Sequence, residues 1–187
     1  VALVPVESPD EAELVFINTC AFIQPATEES VRTIAQAIAD IEELPKRPLL
    51  AVAGCLVGRY HAEDLAPELP EVDLWLDNSD LEAWPAMLAR KLGLPEPTVP
   101  GRILSTGPSY AWLKISDGCR HACSFCAIPN IRGGHRSHCK DMIVREARAL
   151  LDQGVKELNL VAQDLTEWGC DLDGKQDLRT LLDGLLP

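Results

Sequence analysis

The residues of this 187-residue chain best suited to chemistry are its seven cysteines, three of which (Cys119, Cys123 and Cys126) fall within eight residues. The stretch Cys119-Arg-His-Ala-Cys-Ser-Phe-Cys126 has the spacing C-x3-C-x2-C and gathers three soft thiolates on one tight loop. Iron–sulfur clusters are held by cysteine thiolates, normally four for a four-iron cube. Three thiolates leave one iron open to an exchangeable ligand, which catalysis needs and electron transfer does not. The other chemistry open to the same loop is structural zinc, with His121 or His135 completing a Cys3His set. Zinc loops more often pair one C-x2-C with a distant second, and the sequence has no second C-x2-C. An odd cysteine count with no basic, apolar leader argues against a secreted disulfide framework. The thiols are therefore expected to be reduced, in a cytoplasmic compartment. Cys139 and Cys170 read as incidental thiols.

A cysteine loop needs a rigid element to carry it. Tyr110-Ala-Trp-Leu-Lys-Ile115 reads as a strand, with Trp112 as core, and the cysteines follow directly. That places them at the carboxyl end of a strand, where α/β barrels build their active sites. Asp141–Leu151 then reads as a helix with Ile143, Ala147, Leu150 and Leu151 on one face; Glu157–Ala162 reads as a strand and Leu178–Leu185 as a helix. Two βα units cannot close a barrel, so residues 110–187 are expected to be incomplete at the carboxyl end. Upstream, Glu13–Asn18, Leu49–Ala53 and Val72–Leu76 read as strands. A helix capped by Thr27-Glu-Glu-Ser30 is expected to run to about Leu44, before Pro45, and another over Leu81–Leu92 with Pro85 in its first turn. This order predicts a small parallel, Rossmann-like α/β domain over residues 1–93. Residues 94–109, with four Pro and two Gly, read as a linker. Residue 1 is Val, so the protein's own start is expected upstream.

The charge is uneven. Residues 1–109 hold 18 acidic and 7 basic residues, whereas residues 110–187 hold 11 and 10. Within 114–148 seven basic residues face three acidic ones, a local field suited to an anionic cofactor or substrate group. Arg132 and Arg136 could each grip a carboxylate there or be plain surface charge. The total of −12 argues against a general nucleic-acid binder, and no run approaches the roughly 18 apolar residues of a membrane span.

The loop with an aromatic at Phe125, after a strand, resembles the radical S-adenosylmethionine (SAM) superfamily. The longer stretch Ile115–Gly134 resembles the methylthiotransferases within it. That family has an amino-terminal domain with its own three-cysteine cluster site, and Asn18-Thr19-Cys20 and Ala53-Gly54-Cys55 match two of its cysteines. The segments Cys20–Val31 and Leu160-Val-Ala-Gln-Asp164 resemble the branch that modifies an aspartate of small-subunit ribosomal protein twelve. The tRNA-adenosine branch, the alternative within the family, would show Gly-Gln-Asn in place of Ala-Gln-Asp. A zinc-stabilised binding module is the alternative of another class.

The resemblance implies a truncated radical SAM (TIM-like) barrel after the amino-terminal domain. It implies two 4Fe–4S clusters, one on Cys119, Cys123 and Cys126 with an open iron for SAM, the other held in part by Cys20 and Cys55. Reductive cleavage of SAM would yield a 5′-deoxyadenosyl radical that takes hydrogen from the aspartate β-carbon, and a second SAM would supply the methyl group. Phe125, Gln163 and Asp164 would lie near SAM. A ribosomal protein substrate and a reductant protein are the implied partners, with no membrane and no direct nucleic-acid contact.

Several positions depart from the family pattern. The first auxiliary cysteine would lie upstream of residue 1, Ser137-His138-Cys139 stands where Ser-Arg-Pro is usual, and Leu165 replaces Thr. With the rest of the barrel and a carboxyl-terminal domain absent, this stretch alone is expected to be inactive. His121 and His135 read by default as exposed loop histidines.

Overall fold

Apolar runs with β-branched members form the strands here, and the helices between them cover what those strands would otherwise expose. The computed structural model describes residues 3–95, 102, 104 and 106–186. The chain divides into two compact units, Val1–Gly101 and Arg102–Pro187. The span read as a linker falls partly on residues 96–101, 103 and 105, which lie outside the described residues.

In the first unit the order is β1 (Leu14–Thr19), α1 (Gln24–Glu42), β2 (Leu49–Gly54), the short helices α2 (Cys55–Tyr60) and α3 (Ala62–Leu65), β3 (Leu74–Leu76) and α4 (Trp84–Leu92). The three strands form one parallel sheet in the order β1-β2-β3. β2 is central and buried on both faces, which is why it reads as a continuous apolar run. Leu50 and Val52 pack with Ile34, Ile41 and Leu56 on one face. Ala51 and Ala53 pack with Leu76 and, from α4, Trp84, Met87 and Leu88 on the other. The start of α1 corrects the expectation: the helix begins at Gln24, with Pro25 in its first turn, so Thr27 is inside it. Proline pre-sets the helical φ and lacks the N–H that a first turn leaves unpaired, so it sets the start ahead of Thr27.

The second unit runs β4 (Tyr110–Lys114), β5 (Ser116–Asp117), α5 (Ile128–Arg132), β6 (Arg136–Ser137), α6 (Lys140–Asp152), β7 (Glu157–Val161) and α7 (Leu178–Leu185). β4 and β7 pair in parallel, Tyr110 with Glu157 through Lys114 with Val161. Ala111, Leu113 and Ile115 point to a core shared with Ile143, Ala147 and Leu150 of α6, Leu181 of α7 and Trp168. Strand alternation sends Tyr110, Trp112 and Lys114 the other way. Trp112 is accordingly 47% exposed, against the expectation of a core residue, and stands edge-on to Tyr110 at 5.8 Å. Leu151, expected on the buried face of its helix, is half-exposed as well, because Ile143, Ala147 and Leu150 already fill that face.

Parity along β4 can be tested by two neighbouring truncations. Leu113→Ala empties a fully buried site and is expected to cost about 2–5 kcal/mol in urea unfolding. Trp112→Ala removes a larger but half-exposed side chain, and is expected to cost about 1 kcal/mol, the worth of its aromatic contact. A larger cost at Trp112 than at Leu113 would reverse the assignment of faces.

Candidate functional site

Strand ends carry the cysteines in both units. In the first, β1 and β2 pair with Thr19 opposite Gly54, so the next residues, Cys20 and Cys55, leave the sheet side by side at its carboxyl edge. Cys20 is exposed and Cys55 half-buried. The backbone there is tightly tied. Thr19 Oγ1 donates to the Ala53 carbonyl (2.6 Å) and accepts from Leu56 N–H (3.2 Å), joining the two strand ends. Ser30 Oγ, reaching back from α1, donates to the Cys20 carbonyl (2.7 Å) and accepts from Cys20 N–H (3.1 Å). Arg59 donates to the Ala21 carbonyl at 2.6 Å. A cavity of about 180 Å³ opens beside Cys20, lined by Asn18, Glu29, Ser30 and Thr33 among others.

In the second unit the cysteines lie on the loop between β5 and β6. These two-residue strands pair antiparallel, Ser116 with Ser137 and Asp117 with Arg136, and close the loop at its base. Cys119 N–H donates to the Gly133 carbonyl (3.2 Å) and Cys126 N–H to the Cys123 carbonyl (3.0 Å). Cys123 is exposed, Cys119 and Cys126 half-buried, and Phe125 is 91% exposed at the rim.

A glycine precedes a cysteine at both sites, with φ +104° at Gly54 and +68° at Gly118. A Cβ at Gly54 would lie 2.4 Å from the Thr19 carbonyl oxygen, and one at Gly118 would lie 2.1 Å from that of Gly134. Neither the torsion nor the space admits another residue.

Three side chains, Lys114, Arg132 and His138, converge on Asp117, the last residue of β5. Lys114 Nζ is 2.5 Å from its carboxylate, Arg132 3.4 Å and His138 Nε2 3.5 Å. Burial pushes the Asp117 carboxyl up, but hydrogen bonds from His138 and Lys114 outweigh it and hold the group down at about 2. Sequence reading passed over this residue, although a lone acid among basic residues directly before Gly118-Cys119 was a usable signal. Arg132, one of the two arginines singled out, is spent on this internal pair. Arg136 is the β6 partner of Asp117.

An ion pair and a hydrogen bond run from the residues inside C-x3-C to the segment after β7. Arg120 meets Glu167, and His121 Nε2 lies 2.9 Å from Asp164 Oδ2. Asp164 also accepts from the Thr166 N–H (2.9 Å) and hydroxyl (2.7 Å), bonds that with His121 hold its carboxyl at about 2. Beside it, Gln163 Oε1 is buried without a hydrogen-bond partner. The segment after β7 thus brings Asp164 to the cysteine loop through His121. His135 departs from expectation: its side chain is only 2% exposed, because the β5–β6 closure folds it inward beside Ser137 and Asp171.

The donor set can be tested against the groups it could hold. Among the described residues, His135–Cys170–Asp171 and His121–Asp164–Glu167 bring ligand atoms within 4.8 Å of one another; the three loop cysteines form no such group. One tetrahedral zinc would draw its thiolates to about 3.8 Å. Three soft thiolates on one loop are donors that either zinc or an iron–sulfur cluster could take.

Asp117 gains its stabilisation above the unfolded carboxylate value of about 3.9 and loses it as pH falls through about 2. Asp117→Asn is therefore expected to cost about 2–3 kcal/mol near neutral pH, with the gap to wild type closing between about pH 4 and pH 2 in urea titrations. Gly118→Ala is expected to lose at least about 1–2 kcal/mol and to speed modification of Cys119 by a thiol reagent.

Comparison with known proteins finds relatives along the whole chain. Residues 2–77 match the family model described as uncharacterized protein family UPF0004. The chain is 66% identical over all 187 of its residues to the ribosomal protein uS12 methylthiotransferase RimO of Nitratidesulfovibrio vulgaris, covering 44% of that protein. Proteins of the same name from Oleidesulfovibrio alaskensis and Aquifex aeolicus are 61% and 47% identical over 98% and 95% of the chain, which covers 43% and 39% of them. The chain thus spans less than half the length of these curated relatives. Among the described residues, no helix is long and apolar enough to cross a membrane. Along its whole length the chain is thus similar in sequence to proteins named ribosomal protein uS12 methylthiotransferase RimO.

Proposed function

We propose that this chain serves radical SAM methylthiotransfer to an aspartate of ribosomal protein uS12. The observation that carries the reading is the C-x3-C-x2-C loop at the end of β4, closed by β5 and β6, in a chain so similar to proteins of that name. Cys119, Cys123 and Cys126 hold a 4Fe–4S cluster with an open iron, and Cys20 and Cys55 contribute to a second. When bound there, the cluster supplies the electron that cleaves SAM reductively, releasing a carbon radical able to take hydrogen from an unactivated β-carbon.

This chain's own residues position and shield. Gly118 and Asp117 fix where Cys119 leaves the strand, and the Arg120–Glu167 and His121–Asp164 pairs pin the first half of the loop to the end of β7. Gln163 Oε1, an acceptor lacking a donor, suits the amino group of SAM. The parallel β4–β7 pair, covered by helices on one face, supports the opening βα units of a TIM-like barrel whose inner face carries Tyr110, Trp112 and Lys114. The boundaries 1–93, 94–109 and 110–187 are proposed on the same ground. The acidic excess of residues 1–109 suits a basic ribosomal protein partner in the cytoplasm, with a reductant protein as electron source. Ala162-Gln163-Asp164 and the names of the relatives favour this substrate over a tRNA adenosine.

The test is anaerobic iron–sulfur reconstitution followed by EPR of the reduced protein, with and without SAM, beside Cys123→Ala. A reduced-cluster signal that shifts on adding SAM and is absent from the variant is expected, with about four iron and four sulfide at the loop. A colourless protein holding one zinc on the loop would overturn the reading.

A further inference from the structure

Outside the cysteine loop lies a second set of metal-binding side chains, on a different footing. Its members are His135, at the exit of the loop, and Cys170 and Asp171, on the segment after β7; their ligand atoms lie within 4.8 Å of one another. The comparable group His121–Asp164–Glu167 is satisfied internally, because His121 pairs with Asp164 and Glu167 with Arg120. In the His135 set one ring nitrogen is left over. The His135 side chain is 2% exposed, yet its Nδ1 is buried with no hydrogen-bond partner. An unpaired buried ring nitrogen is costly unless something meets it.

The surroundings hold the three donors in place. Asp171 Oδ2 accepts from Ser137 N–H at 2.9 Å, leaving Oδ1 toward His135 Nε2 at 3.7 Å. Ser137 Oγ lies 3.1 Å from that same nitrogen and accepts from Gly169 N–H at 2.9 Å, fixing the backbone next to Cys170. Trp168, 1% exposed, anchors the segment by donating to the His138 carbonyl at 3.1 Å. Cys170 itself is exposed, so the site is open to solvent on one side.

We propose that His135, Cys170 and Asp171 form a site for a divalent transition-metal ion, zinc or one of similar preference, distinct from the cysteine loop. Imidazole, thiolate and carboxylate are the three donor types zinc takes, and three protein ligands leave a fourth position for water. Binding releases the Cys170 proton, so affinity rises with pH. The ion would tie the exit of the cysteine loop to the segment after β7. The proposal does not depend on what Cys119, Cys123 and Cys126 hold.

The probe is cobalt(II), titrated anaerobically into the metal-free full chain. Wild type is compared with Cys170→Ser, Asp171→Asn and Cys139→Ser. Cys170→Ser changes an exposed side chain, and Asp171→Asn keeps an acceptor for Ser137 N–H, so both are expected to fold, as checked by circular dichroism. Cobalt taken by the loop cysteines is common to all four proteins and cancels in the differences. Wild type and Cys139→Ser are expected to bind one cobalt more than Cys170→Ser, with extra thiolate-to-cobalt charge-transfer absorption in the difference spectrum against Cys170→Ser. Asp171→Asn should keep the band but need more cobalt to reach it. Equal cobalt uptake and identical spectra in wild type and Cys170→Ser would overturn the site.

Discussion

Both cysteine sites stand on one constraint: a strand ends, and the chain must turn at once against a neighbouring backbone. At Gly54 the obstacle is the Thr19 carbonyl of the adjacent parallel strand, and at Gly118 it is the Gly134 carbonyl on the far side of the loop. A side chain at either place would push the following cysteine out of position. The torsions there lie where L-residues rarely go, so space and conformation select glycine together. The rest of each site then follows from register. Thr19 opposite Gly54 sets Cys20 beside Cys55, and Ser116 opposite Ser137 closes the second loop at its base.

Electrostatics reinforces that geometry in the second unit. Asp117 is nearly buried, and three side chains reach it from three directions: Lys114 on β4, Arg132 on α5 and His138 after β6. A buried charge with several partners is costly to disturb, whatever its net worth against an apolar replacement. The local surplus of basic residues read from the sequence is thus partly spent holding the loop's base together. The remainder faces outward in part, as in Arg120, which meets Glu167 from a largely exposed position.

Much of this was legible in the sequence, for identifiable reasons. β2 announced itself because both its faces are buried, and the helix Leu178–Leu185 has the bounds its periodicity gave. The cysteine loop was found by spacing alone. What escaped was of two kinds. β5 and β6 are two residues long, too short for any period, and they exist only because distant segments meet. Trp112, read as core, is half-exposed because the alternation Ala111-Leu113-Ile115 assigns it to the opposite face. His135 and Asp117 owe their burial to the same closure of the loop, which no local pattern encodes.

The face of β4 turned away from the core carries Tyr110, Trp112 and Lys114, and from it Lys114 reaches Asp117 at the base of the cysteine loop. One ammonium therefore ties two surfaces together. Anything that draws Lys114 toward the aromatic pair takes a partner from the carboxylate on which the loop closes.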